Sequence, residues 1–522
     1  MIKLKTMQKI MLFVVLISLF SSCKDSKIGS DKTNDPVSET YYAEKFRPQF
    51  HFSPEEQWMN DPNGLVYHDD TYHLFYQFHP DSTVWGPMHW GHATSADLIS
   101  WEHQEIALEP DSLGYIFSGS AVVDKDDTSG FGANNKPPLV AIFTYHSDKI
   151  AKQGRDDFET QGIAYSLDNG KSWTKYADNP VIKNEGLRDF RDPKVFWHAQ
   201  LKKWVMALVA RDHVKFYQSD NLKEWTLSGE FGKGQGSHGG VWECPDLFKL
   251  PVNGQNQEKW VLLVSVQSGG PQGGSATQYF VGDFDGSTFT TEQKEVLWLD
   301  SGKDNYAGVT YNNEPTANRI LIGWMSNWQY AQKVPTEKWR SAMTLPRSLK
   351  LFANDSSHLL KNYPIKNFDR LLTERESLVN INLEKEFHID SASFEMVDIK
   401  LNFTMKDDIL LKLSNPIGEE VFFGLNPKEG LMYFDRDTSG ATDFDTNFAK
   451  GKQIKTYTPK DEVQEIRVIV DKSSIEIFVN EGEHVFTNTV FPSAPYTSLT
   501  LSSTNAAQVH SLSISDVQSI WK

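Results

Sequence analysis

The feature that most constrains the fold of this chain is a repeat. Four segments set an aromatic residue four or five positions after an acid: TSADLISWEHQEIAL, AYSLDNGKSWTKYADNPVI, YQSDNLKEWTLSGEF and VGDFDGSTFTTEQKEVLWL. The pairs are Asp97 and Trp101, Asp168 and Trp173, Asp220 and Trp225, and Asp285 and Phe289. A polar turn between short strands, recurring at roughly fifty to seventy residues, is the signature of a β-propeller. A second pattern runs in phase with the first. NDPNGLVYHDDTYHLFYQF, FRDPKVFWHAQLKKWVMALVA and WECPDLFKLPVNGQNQEKWVLLVSVQ each begin with an acid close to a proline, then read as strand, turn and strand. Their second strands are apolar nearly throughout, as expected of strands covered on both faces. IFSGSAVVD and NYAGVTYNN read as the entries of two further units. The expectation is an all-β chain with a five-bladed propeller over residues 46–351.

In a propeller the first strand of each blade lines the central channel. Asp61, Asp192 and Glu243 are therefore expected at equivalent positions, each at the start of an innermost strand, converging on one end of the channel. Entering a blade does not itself require an acid, since two of the five entries lack one. Like charges around one cavity push pKa values apart, and carboxylates divide acid and nucleophile roles in this way.

The chain has 522 residues, a net charge of −17, 12% aromatic residues and 15 Trp. The negative balance argues against nucleic acid or an anionic membrane surface as partner. Lys3, Lys5 and Lys9 precede an apolar run from Ile10 to Phe20, too short to span a bilayer and of signal-peptide proportions. LFSSC resembles a bacterial lipoprotein signal, with Cys23 as the lipidated first residue of the mature chain. An ordinary cleaved signal is the alternative, and either reading predicts export: to the cell envelope or surface by a lipid anchor, or as a soluble secreted or periplasmic protein. Residues 24–45 read as a flexible polar tether. The other cysteine, Cys244, is left without a partner if Cys23 is acylated. No Cys/His spacing suits zinc.

At WMNDPNG (58–64), FSGSAV (117–122), RDP (191–193) and ECPDLF (243–248) the chain resembles glycoside hydrolase family 32, the levanases, inulinases and invertases. QYFVGDFDG, NYAG, ILIGWM and WRSAMTLPR extend the resemblance, in the family's order, over nearly all of the mature chain. It implies a retaining β-fructofuranosidase that needs no metal or organic cofactor and no obligate protein partner. Asp61 would be the nucleophile and Glu243 the general acid/base. Asp192 would be the transition-state stabiliser, kept ionised by the adjacent Arg191. Glu243 would have its pKa raised by burial beside Cys244 and Trp242, away from any cation. Substrate contacts are implied for Trp58, Asn60, Gln77, Trp85, Phe117, Ser118, Arg191, Tyr306 and Trp324. The substrate expected is a fructan, levan or inulin ahead of sucrose, attacked from its end. Endo action, fructosyl transfer and non-catalytic fructan binding are the alternatives, and the presence of all three acids weighs against the last.

After a connector at 352–372, residues 373–522 hold many short alternating segments, which predicts a β-sandwich. IRVIVDKSSIEIFVN reads as a hairpin turning at Asp471–Ser473.

Overall fold

The computed structural model describes residues 42–521, apart from 135, 355, 356, 406 and 460. The expected signal segment, Cys23 and most of the expected tether lie outside the described residues. The last residues of that tether are already held: Tyr42 stacks on Trp521 at 3.9 Å, and its hydroxyl lies 2.6 Å from Nε2 of His103.

Five small antiparallel sheets follow one another along the chain, and these are the blades. Their innermost strands are Gln57–His68 (blade I), Tyr115–Val123 (II), Phe190–His198 (III), Trp242–Pro251 (IV) and Tyr306–Thr310 (V). The middle strands, such as Leu139–His146 and Lys203–Ala210, are buried almost end to end, which explains their unbroken apolar character. Trp339–Arg340, from beyond the start of blade V, pairs in parallel with Gln57–Trp58 and closes the ring.

The acid-to-aromatic repeat is the turn into the outermost strand. Oδ1 of Asp97 accepts the backbone N–H groups of Ile99 and Ser100, and Oδ1 of Asp285 those of Ser287 and Thr288. This is the local hydrogen bonding for which Asp is favoured in turns. In blade III the capping residue is one further along: Asn221 accepts from Lys223 and Glu224, while Asp220 pairs with Lys203. The expected irregular connector at 352–372 is mostly ordered strand. Arg347–Asn354 and Ser357–Pro364 form a hairpin that completes blade V, followed by a short 3-10 turn at Lys366–Leu371.

The C-terminal part is a sandwich of two six-stranded sheets around one apolar core. Strands Val463–Asp471 and Ser474–Val479 form the expected hairpin, with Asp471 opposite Ser474.

Candidate active site

Every innermost strand carries the same irregularity at the same level. Two residues stand opposite a single partner in each: Asn60–Asp61 opposite Gln77, and Phe117–Ser118 opposite Thr144. Asp192–Pro193 faces Leu208, Cys244–Pro245 faces Val264, and Ala307–Gly308 faces Gly323. Such bulges twist a strand and re-aim its side chains. In three blades the first bulged residue is left-handed without being glycine: φ is +63° at Asp192, +44° at Cys244 and +53° at Ala307. Each costs about 1–2 kcal/mol, and strain of this kind gathers at functional sites.

The bulges correct one expectation. The three acids share a level but do not occupy equivalent positions. Asp61 is the second bulged residue of its strand, Asp192 the first of its own, and Glu243 precedes its bulge. The stagger lets each reach different partners. Residues just before the bulges in blades III, IV and V form one chain: Arg191 Nη2 donates to Glu243 Oε1 at 2.9 Å, and the Tyr306 hydroxyl donates to Glu243 Oε2. On the other side, Asn60 Nδ2 and Ser118 Oγ donate to the two oxygens of Asp61 at 3.0 and 2.7 Å. Cys244 lies between the carboxylates. Its backbone N–H donates to Asp192 Oδ2 at 3.0 Å, and its Sγ lies 3.5 Å from Asp61 Oδ2 and 3.7 Å from Asp192 Oδ2.

Burial raises the pKa of all three carboxyls. For Asp61 the hydrogen bonds from Asn60, Ser118 and Cys244 oppose it. For Glu243, Arg191 opposes burial and the Asp61 charge adds to it. For Asp192, burial outweighs the Arg191 charge, Glu243 and Asp61 add to it, and the carboxyl is pushed up to about 8. This reverses two sequence expectations. Arg191 does not keep its neighbour ionised: its guanidinium is bound to Asp189, Glu159 and Glu243. Glu243 accordingly does have a cation against it. Burial thus favours the protonated form at all three carboxyls, and repulsion between them adds to it at Glu243 and Asp192.

The expected sugar contacts divide into two groups. Trp58 and Trp324 are 0% exposed, so they reach a ligand only through what they support. Trp58 Nε1 donates to Asn60 Oδ1 at 2.7 Å, and Trp324 packs edge-on to both Trp58 and Tyr306. Gln77 is likewise buried and bonds Asn63 and the Ile116 carbonyl. Trp85, at 38% exposed, stands at the rim with its ring edge-on to Phe117. Asn60, Ser118, Arg191 and Tyr306 all bond an acid directly.

Reading the sequence missed a supporting layer. Glu159, 1% exposed, accepts from Arg191 and lies 3.2 Å from Nδ1 of His146, whose ring stacks on Phe117 at 4.3 Å. Thr144 Oγ1 accepts the Asp192 N–H at 3.0 Å and donates to Gln161. These residues come from second and third strands, where buried apolar runs were the only legible signal.

Two family models cover this architecture: the N-terminal domain of glycosyl hydrolases family 32 matches residues 51–364, and the family's C-terminal model matches 367–516. The chain is a glycoside hydrolase of family 32. A levanase of Bacillus subtilis is 44% identical over 531 aligned positions, covering 99% of this chain and 76% of that protein. An extracellular exo-inulinase of Aspergillus niger is 40% identical, covering 89% of this chain and 93% of its own. Among solved structures, the exo-inulinase of Aspergillus awamori superposes with a TM-score of 0.85 at 37% identity, over 92% of this chain and all of that one. The family 32 propeller and sandwich are thus both present here.

Proposed function

We propose that this hydrolase is an exported, exo-acting β-fructofuranosidase that removes terminal fructose from levan or inulin, and from sucrose, with retention of configuration. The observation that carries the reading is how deeply the acids sit under one rim. Asp61 is 9% exposed, Asp192 5%, Ser118 5% and Asn60 3%, and the Glu243 side chain keeps 14% of its surface. A recess of that kind suits one terminal sugar better than an open groove crossed by a chain. The levanase and exo-inulinase relatives support the substrate class.

Asp61 acts as the nucleophile. Its carboxylate attacks the anomeric carbon while the bond to the leaving oxygen breaks, and Glu243 gives its proton to that oxygen. Water then gives a proton to Glu243 and its oxygen attacks the same carbon, freeing Asp61. A retaining pair of this type works about 5 Å apart. Donors from Asn60, Ser118 and Cys244 favour the ionised form of Asp61. Burial favours the protonated Glu243 that the first step needs, and sugar hydroxyls donating to Asp192 would stabilise its carboxylate.

Early products from levan, inulin and sucrose test the reading. Fructose alone from the polymers is expected, and short oligosaccharides would establish endo action instead. Asp61→Asn removes a charge and little volume, so it should fold normally and lose hydrolysis of all three substrates. Wild-type turnover by that variant would overturn the nucleophile assignment.

Anchoring through a lipid on Cys23 belongs to the same proposal and rests on the LFSSC segment. The native protein should partition into detergent and Cys23→Ala into water. Equal partitioning of the two would exclude the anchor.

A further inference from the structure

The opposite mouth of the propeller holds a second cavity, of about 470 Å³. Its lining comes from the far ends of the innermost strands, where Val122, Trp197 and Phe248 lie, away from the acids near the strand starts. Asn312 Nδ2 donates to the carbonyls of Ala121 and Val195, tying blades II and III to V across the axis. Just above it, Lys194 Nζ donates to the Thr310 carbonyl at 2.6 Å and pairs with Asp246 at 3.1 Å.

We propose that this cavity is a second carbohydrate site, which holds a fructosyl segment of the polymer and does not cleave it. The inference rests on the fructan reading above. Its walls include Trp197, Trp204 and Trp260. Trp197 is 38% exposed and set edge-on to Trp204 at 5.1 Å, while Trp204 is pinned by its Nε1 bond to Thr128 Oγ1. A rigid, half-open indole is the surface on which the C–H face of a sugar ring packs. Arg319 supplies donors for hydroxyls. Its guanidinium lies over the Phe248 ring at 4.9 Å and its Nη1 donates to the Tyr311 carbonyl and Thr310 Oγ1, while among the described residues its Nε and Nη2 have no hydrogen-bond partner.

The charges favour a neutral ligand. Arg319 has the charges of Asp246 and Glu314 near it, Lys125 and Asp126 bring one of each sign to the rim, and Lys249 is already paired with Glu258. The buried acid of the wall, Asp124, is spent on the N–H groups of Thr128 and Ser129. The other carboxylate of the lining, Asp126, lies two residues along the same turn, so among the described residues the cavity has the means to bind a glycoside and no facing pair to cleave one. A site that holds part of a long chain raises the concentration of its ends near the acids on the other face.

Trp197→Ala should raise KM on long-chain levan or inulin roughly threefold to tenfold. Kinetics on sucrose, too short to use both sites, should not change. Trp197→Phe, which keeps a ring, should fall between. In a background of Asp61→Asn, which cannot consume the polymer, Trp197→Ala should migrate faster than its parent through a native gel containing the preferred fructan. Unchanged polymer KM together with unchanged migration, in an enzyme that hydrolyses fructans, would overturn the second site alone. Absence of hydrolysis of every fructosyl substrate by the unmodified enzyme would overturn it together with the fructan reading.

Discussion

Arg191 precedes Asp192 in the chain, yet its guanidinium points to Glu243, Glu159 and Asp189. Glu243 therefore has a cation on one oxygen and the Tyr306 hydroxyl on the other. Both favour its ionised form against burial. Tyr306→Phe removes the hydroxyl alone. The ionised Glu243 that receives the proton from water then loses a charge-assisted bond worth about 1.5–3 kcal/mol, and kcat should fall roughly tenfold to a hundredfold. Because that bond holds the pKa of Glu243 down, the alkaline limb of the pH–rate profile should move to higher pH. A profile that kept its limbs while kcat fell would mean that Tyr306 acts on packing and not on the acid. The residue types of the site were legible because they sit in short motifs. Their pairing was not, since adjacency in sequence implies adjacency in space only where the backbone is regular. At a bulge, consecutive side chains part company.

The bulges are features of whole strands, and they show where pattern reading runs out. Period and turn chemistry located all five innermost strands, because a strand entering a buried sheet must be apolar and its turns must be polar. Neither signal reports that two residues face one, so the stagger of Asp61, Asp192 and Glu243 stayed hidden. The hairpin from Arg347 to Pro364 was missed for a different reason: its outer strands are half-buried and mix charge with apolar residues, which reads as a connector. The rim loop between strands Glu258–Val266 and Ala276–Phe284 supports a prediction at this scale. It leaves its strand directly after Val266, opposite Trp242, beside Glu243. At its tip the amide of Gln272 makes both bonds of a short strand with Ile454 of the sandwich: Nε2 to the carbonyl at 2.7 Å, and Oε1 from the N–H at 3.1 Å. Its base is held by Ser275 Oγ, which accepts the N–H of Trp328, the ring stacked on Trp58. Gln272→Ala removes the tip anchor, worth about 1–2 kcal/mol for two exposed bonds. Limited proteolysis within the loop should speed up about tenfold, with global stability little changed. Equal cleavage rates in the two proteins would show that the glycines of the loop, and not Gln272, set its order.

At the scale of the molecule, propeller and sandwich are joined by buried charge. Arg347, fully buried at the end of blade V, bonds Asp300 at 3.2 Å and Glu476 of the sandwich at 2.8 Å. The hairpin tip expected from the sequence docks the segment leading into blade I. Asp471 accepts the N–H groups of Gln49 and Phe50, and its Oδ2 lies 2.8 Å from Nδ1 of His51. These links were not legible in the sequence, since the partners are up to 422 residues apart. Burial opposes a charge on His51, yet its hydrogen bond to Asp471 and the Glu476 carboxylate 3.8 Å away outweigh it and raise its pKa from 6.5 to about 9. Folded His51 therefore keeps a proton that the unfolded chain gives up earlier. Its contribution, on the order of 3 kcal/mol, is whole below pH 6.5 and is lost as pH rises from 6.5 through about 9. Glu476 works at the other end of the scale. Burial raises its pKa but the Arg347 charge and the nearby His51 lower it by more, to about 2, so its share is present above 4.5 and lost as pH falls through 2. Between those limits both groups brace the two parts together. His51→Gln should lower the unfolding midpoint by several degrees near pH 6. The gap from the unmodified protein should narrow as pH rises and close by about pH 10. Two stability curves that stay parallel over that range would mean that His51 is neutral in the fold, and that Asp471 holds the blade I lead-in through backbone N–H groups alone.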